Sequence, residues 1–172
     1  MASNLLKDSD FLNGTMVRFV SYIDPDIVLG LTASRVQTYN NYLTGRGVGV
    51  RHRSKLGNSN EGVWMIASDQ GTGLPASECI PGFQIVSNAQ SNLYLTNIEN
   101  NLYTALSDVQ PPDVNCGFWF VDWVKDGTWF ALNNKDHSRV FDISRSDTTE
   151  GNDVILFPWN GGDNQVWRAE RA

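Results

Sequence analysis

The chain has 172 residues, 41% of them hydrophobic and 19% charged, which is enough apolar material for one packed domain and too little charge for a disordered one. Nineteen acidic against thirteen basic residues leave a formal net charge of −6, the wrong sign for a protein that must neutralise phosphates. No apolar run approaches the roughly 18 residues that a membrane-spanning helix needs.

The start, Met1-Ala-Ser-Asn-Leu-Leu-Lys-Asp, lacks a basic segment followed by an apolar one. It does not read as a signal peptide, so a cytoplasmic protein is the default expectation, with secretion left open. The sequon Asn13-Gly14-Thr15 matters only in a secreted protein. Next come short apolar segments rich in β-branched and aromatic residues: Met16–Val20, Phe83–Val86, Trp129–Leu132 and Val154–Phe157. Each has strand length. Fifteen Gly and six Pro are spread between such segments rather than pooled in one linker, and no long stretch carries apolar residues at helical spacing. The pattern is all-β.

Two landmarks recur three times. Tryptophans at 64, 119 and 167 close segments reading Gly62-Val63-Trp64, Gly117-Phe118-Trp119 and Gln165-Val166-Trp167, at intervals of 55 and 48 residues. Each segment also opens alike, with an apolar strand, a polar turn and a second apolar strand, over Val20–Gly30, Val86–Thr96 and Leu132–Asp142. All three openings cover the same number of residues without a gap. A unit of roughly 50 residues with about four short strands cannot bury its own apolar face, so three copies must share one core. The expected organisation is a single domain over residues 1–172. It has an N-terminal extension at 1–14 and repeats at about 15–68, 80–124 and 127–172. The repeated tryptophans are expected in the core, and Trp123 and Trp129 in hairpin packing around a Lys-Asp-Gly turn.

Cys79 and Cys116 leave pairing open: they could bridge only if the fold brings them close, and a reducing compartment would keep them free. With His52 and His137 the only histidines, a zinc site is not expected, and no cofactor is implied. Both histidines read as solvated surface residues. Asp136, His137 and Ser138 are neighbours in one turn, which is the wrong arrangement for a catalytic relay, so no enzymatic activity is expected.

The third repeat carries the most specific motif. Val140-Phe-Asp-Ile-Ser144, Gly151-Asn-Asp-Val-Ile-Leu-Phe157 and Asn160-Gly-Gly-Asp-Asn-Gln-Val-Trp167 resemble the consensus of the ricin B-type (Gln-x-Trp) lectins. Pro158-Trp159-Asn160-Gly161-Gly162 is most similar to the fungal members. The resemblance spans about residues 15–172 and implies a β-trefoil that binds galactose- or N-acetylgalactosamine-type glycans, with Gln-x-Trp elements holding each unit together. It implies roles in the third repeat: Asp142 as acceptor for two sugar hydroxyls and Phe157 as the stacking platform. Asn164 is the amide that bonds a hydroxyl and orients the carboxylate, and Gln165 is a brace behind the loop. Asn160 and Gly161 lie on a loop offering a further polar contact. A sugar ring has one apolar face and a rim of hydroxyls, and an aromatic, an ionised acceptor and an amide match it.

Other roles stay open for single residues. Asp142 could cap a turn beside Ser144 or pair with an arginine, and Trp159 could extend the platform or pack on Pro158. The other two repeats depart from the motif. Gly30 and Thr96 stand at the position of Asp142, Arg51 at that of Phe157, and Glu61-Gly62 and Cys116-Gly117 at that of Asn164-Gln165. One good site is therefore expected, in the third repeat, with glycans of glycoproteins or glycolipids as partners and a homodimer as the route to multivalency. Arg51, His52 and Arg53 leave room for some other ligand. Two further readings compete: a trefoil protease inhibitor acting through a surface loop at 72–82 or 107–113, and a protein-interaction trefoil with a vestigial sugar site. Fold alone does not separate them.

Overall fold

The structure is a computed structural model that describes residues 14–35, 44–68, 82–89, 93–98, 101–106, 119–134 and 137–172. Among the described residues, twelve strands fall into three groups of four. The first repeat holds β1 (Met16–Ser21), β2 (Ile27–Arg35), β3 (Thr44–His52) and β4 (Trp64–Ser68). The second holds β5 (Phe83–Ser87), β6 (Leu93–Ile98), β7 (Asn101–Leu106) and β8 (Phe120–Lys125). The third holds β9 (Trp129–Asn133), β10 (Val140–Ile143), β11 (Val154–Phe157) and β12 (Trp167–Arg171).

The outer strands of the three repeats close on one another. Strand β1 pairs with β12 and β4, β4 with β5, β8 with β9, and β9 with β12. The bridge between Phe83 and Trp119 joins β5 to the residue before β8 and completes the ring. The inner strands form the hairpins β2–β3, β6–β7 and β10–β11. These hairpins meet through β7, which pairs with both β3 and β11, and through the Gly49–Asp153 bridge. A six-stranded ring with three mutually paired hairpins is a β-trefoil.

The three repeated tryptophans sit at the centre. Trp64, Trp119 and Trp167 are fully buried, in a core cluster with Phe19, Phe130 and Phe141. At roughly 150–250 Å² each, their burial contributes about 4–6 kcal/mol apiece before ordering costs. Each indole also has a hydrogen-bond partner. Nε1 donates to the Leu29 carbonyl from Trp64 (2.9 Å), to the Leu95 carbonyl from Trp119 (3.3 Å) and to the Phe141 carbonyl from Trp167 (3.1 Å). Those acceptors immediately precede Gly30, Thr96 and Asp142, so the repeats superpose in the register of the ungapped openings.

The first repeat adds a short helix, α1 (Arg53–Leu56), before its tryptophan. It is a single turn whose Leu56 packs with Val20 and Val28, too short to carry a helical apolar period in the sequence. Among the described residues no helix is long and apolar enough to cross a membrane. Cys79, Cys116, Asn13 and the loops 72–81 and 107–113 lie outside the described residues.

Candidate functional site

Three elements of the third repeat converge. Strand β10 supplies Asp142 and β11 ends on Phe157, in a register that sets Val140 opposite Phe157 and Asp142 opposite Ile155. The loop Pro158–Gly162 then leads into a 3-10 turn, Asp163–Gln165, that carries Asn164 and Gln165. Two main-chain features shape this loop. Gly161 has φ +79, a left-handed conformation that costs glycine nothing. A Cβ on Gly162 would collide with the side-chain oxygens of both Asn160 and Asn164.

Asp142 is 4% exposed, and each of its oxygens is engaged. Asn164 Nδ2 donates to Oδ1 at 2.9 Å, and Gln165 Nε2 donates to Oδ2 at 2.8 Å. Among the described residues neither an arginine nor the Ser144 turn takes up the carboxylate; its partners are these two amides. Asn164 Nδ2 also reaches the Ile143 carbonyl at 3.2 Å. Burial pushes the Asp142 pKa above the ordinary carboxylate value, and the bonds from Gln165 and Asn164 only partly oppose it. A carboxylate oxygen has more than one acceptor site, so the bonds from Asn164 and Gln165 do not exhaust the acceptor capacity of Asp142.

Gln165 does more than brace the loop. It is fully buried and has its carboxamide saturated: Nε2 donates to Asp142 and to the Pro158 carbonyl (2.9 Å), and Oε1 accepts from the Asn160 N–H (2.8 Å). Buried polar groups are tolerated when they are satisfied in this way. Asn160 Oδ1 accepts from the Gly162 N–H at 2.9 Å, so Asn160 is engaged in shaping the loop. Phe157 and Trp159, in contrast, are each 45% exposed. The site is a rigid polar floor beside an exposed ring.

The same positions in the first repeat are filled from within. Arg51 sits opposite Val28, the register position that Phe157 holds opposite Val140. Its side chain folds across Gly30, where an added Cβ would lie 2.7 Å from Arg51 Cγ. Arg51 Nη1 donates to the Leu31 carbonyl, the counterpart of the Ile143 carbonyl that Asn164 reaches. Glu61, at the position of Asn164, pairs with Arg51 (2.8 Å) and with Arg46, and Arg51 also pairs with Glu150 of the third repeat.

The neighbouring basic residues are engaged as well. The His52 ring lies between Asp26 Oδ2 (3.2 Å) and the Thr148 carbonyl (3.0 Å), and Arg53 pairs with Glu170 (2.8 Å). His52 is thus a half-buried tether between repeats rather than a solvated residue. His137 is exposed and contacts Asp122 Oδ2 at 3.1 Å, while Asp136 lies outside the described residues. In the second repeat Thr96 is buried and Ala105, opposite Tyr94, takes the register position of Phe157. Cys116 and Gly117 lie outside the described residues.

Of the six expected residues, Asp142, Asn160, Asn164 and Gln165 are joined by hydrogen bonds, while Phe157 ends the neighbouring strand opposite Val140 and Gly161 lies in the loop between. The Pro158 carbonyl as an anchor and the Arg46–Glu61–Arg51–Glu150 chain of charges were not expected from the sequence. The Arg-Glu pairing at the positions of Phe157 and Asn164 was the available signal for that chain.

No family model matches the sequence, and no curated protein matches it. Solved structures do match, at identities that speak to the fold alone. A mosquitocidal holotoxin matches with a TM-score of 0.72 and 15% identity over 94% of this chain, which spans 18% of the toxin's length. A ricin B-like lectin of Macrolepiota procera, solved in complex with lactose, matches at 0.65 and 17% identity, covering 94% of this chain and 98% of the lectin. A proteinase inhibitor from Coprinopsis cinerea matches at 0.66 and 12% identity, covering 94% of this chain and 99% of the inhibitor.

Proposed function

We propose that this protein is a non-enzymatic lectin that binds galactose- or N-acetylgalactosamine-type glycans through one site in the third repeat. The observation that carries the reading is the pairing of Asn164 with Asp142 at 2.9 Å on the same hairpin as the exposed ring of Phe157. Asp142 accepts sugar hydroxyls at its outer edge, Asn164 contributes its free carbonyl oxygen, and Phe157 takes the apolar face of the ring. The similarity to a fungal lectin solved with lactose supports this assignment.

A site that grips one sugar ring through a few hydrogen bonds and one aromatic face binds a monosaccharide in the millimolar to high-micromolar range, roughly 4–6 kcal/mol. Useful avidity then requires multivalent glycans or a homodimer. Retention on lactose-agarose, with Asp142→Ala as control, tests the proposal. The parent chain is retained and eluted by free lactose, while the variant flows through. Retention that survives the substitution would overturn the mechanism.

The second reading is a protease inhibitor, favoured by the likeness to the Coprinopsis protein. Titration against serine and cysteine proteases separates the two, because an inhibitor has no use for the Asp142–Asn164–Phe157 set.

A further inference from the structure

We propose that Trp159 forms a second stacking subsite, so that the third-repeat site takes a galactose-terminated oligosaccharide rather than a single ring. This rests on the lectin reading above and extends it to ligand length. The main chain on both sides of Trp159 is anchored by one buried side chain. Gln165 donates to the Pro158 carbonyl at 2.9 Å and accepts from the Asn160 N–H at 2.8 Å. The next turn is pinned by the Gly162 N–H on Asn160 Oδ1. An indole whose main chain is fixed on both sides and that is still 45% exposed is presented rather than packed away. Pro158 is itself exposed, so packing between the two buries neither.

Distance sets the occupant. Two residues of chain span at most about 7 Å, so the Cα atoms of Phe157 and Trp159 lie no farther apart than that, a separation suited to neighbouring rings of one oligosaccharide. The anchor Gln165 also holds Asp142, so the two aromatic surfaces and the carboxylate belong to one rigid unit. Rigid aromatic side chains supply contact area at little ordering cost. The next sugar along the chain, having lost its terminal hydroxyl contacts to Asp142, is the group that such a surface recognises.

The test is calorimetric titration of the full chain with methyl β-galactoside, lactose and a galactose-terminated tetrasaccharide, for the parent, Trp159→Ala and Trp159→Phe. The expected result is a Trp159→Ala variant that binds methyl β-galactoside within twofold of the parent yet loses tenfold or more on the tetrasaccharide, with a smaller loss on lactose. Trp159→Phe recovers most of the loss because it restores a ring. Equal weakening for all three ligands, or no weakening for any, overturns the subsite while leaving the lectin reading standing. A parent chain that binds none of them overturns both.

Discussion

Asp142 and Gln165 lie 23 residues apart in sequence and are joined by a 2.8 Å hydrogen bond in which the buried amide donates to the carboxylate. The second N–H of that amide holds Pro158 and its oxygen holds Asn160. One side chain therefore fixes the acceptor of the site and the loop that frames it, and it needs two donors and one acceptor to do so. Glutamine is the residue of that length that has them.

Gln165→Ala removes the partner of the buried Asp142 carboxylate and of two main-chain groups, the Pro158 carbonyl and the Asn160 N–H, in an exposed loop. Leaving such groups unpaired costs about 1–3 kcal/mol each where water cannot compensate, so a total loss of roughly 2–4 kcal/mol is expected in urea denaturation. Gln165→Glu is expected to be at least as damaging at neutral pH, because it sets a second negative charge against Asp142. Its loss is relieved on acidification, when either carboxyl takes up a proton.

Sugar binding is expected to fall with acid sooner than for an ordinary carboxylate site. Burial raises the Asp142 pKa, so its proton arrives at a higher pH, and protonation removes the charged acceptor. Affinity for lactose measured from pH 7 to pH 4 should decline in the parent. Asp142→Asn should be weaker by tenfold or more at pH 7 and flat over the same range.

The charges of the first repeat are expected to govern acid stability. The Glu61 pKa is lowered, chiefly by its bond from Arg46 and against the opposing effect of burial, with Arg51 adding to it. For Glu150, burial works upward, but the His52 N–H and Arg51 prevail and its pKa is also lowered. A carboxylate whose folded pKa lies below its unfolded one adds stability above the unfolded value, and that stability is lost as pH falls through the folded value. Arg51→Met keeps the aliphatic cover over Gly30 and removes the pairing. Its urea midpoint should drop most at pH 7 and approach that of the parent near pH 3, with lactose binding unchanged.

The indole bonds of the three repeats predict similar costs at three equivalent core positions. Phenylalanine at position 64, 119 or 167 loses one buried N–H bond and leaves a small void. A destabilisation of about 1–3 kcal/mol is expected in each case. Far-UV circular dichroism during urea titration of Trp64→Phe, Trp119→Phe and Trp167→Phe checks it, and one near-silent variant among the three would break the equivalence.

The trefoil was legible in the sequence because its symmetry is local. Each repeat carries its own tryptophan and its own strand–turn–strand opening at nearly constant spacing, and the indole-to-carbonyl bonds show that this spacing is structural register. Asp142, Phe157, Asn164 and Gln165 were legible for the same reason, being contributed by one hairpin and the turn that follows it. The fate of the first repeat depended on contacts across the molecule. Arg51 meets Glu150 from 99 positions away, and His52 meets the Thr148 carbonyl from 96. Local pattern and residue chemistry determined the repeat, the core and the placing of an acid, an amide and a ring on one hairpin and the turn after it. Only the closed tertiary structure decided that the equivalent position at Gly30 is occupied by the chain's own arginine. Ion pairs form between whatever charged side chains the fold sets side by side, and spacing along the chain carries no record of that.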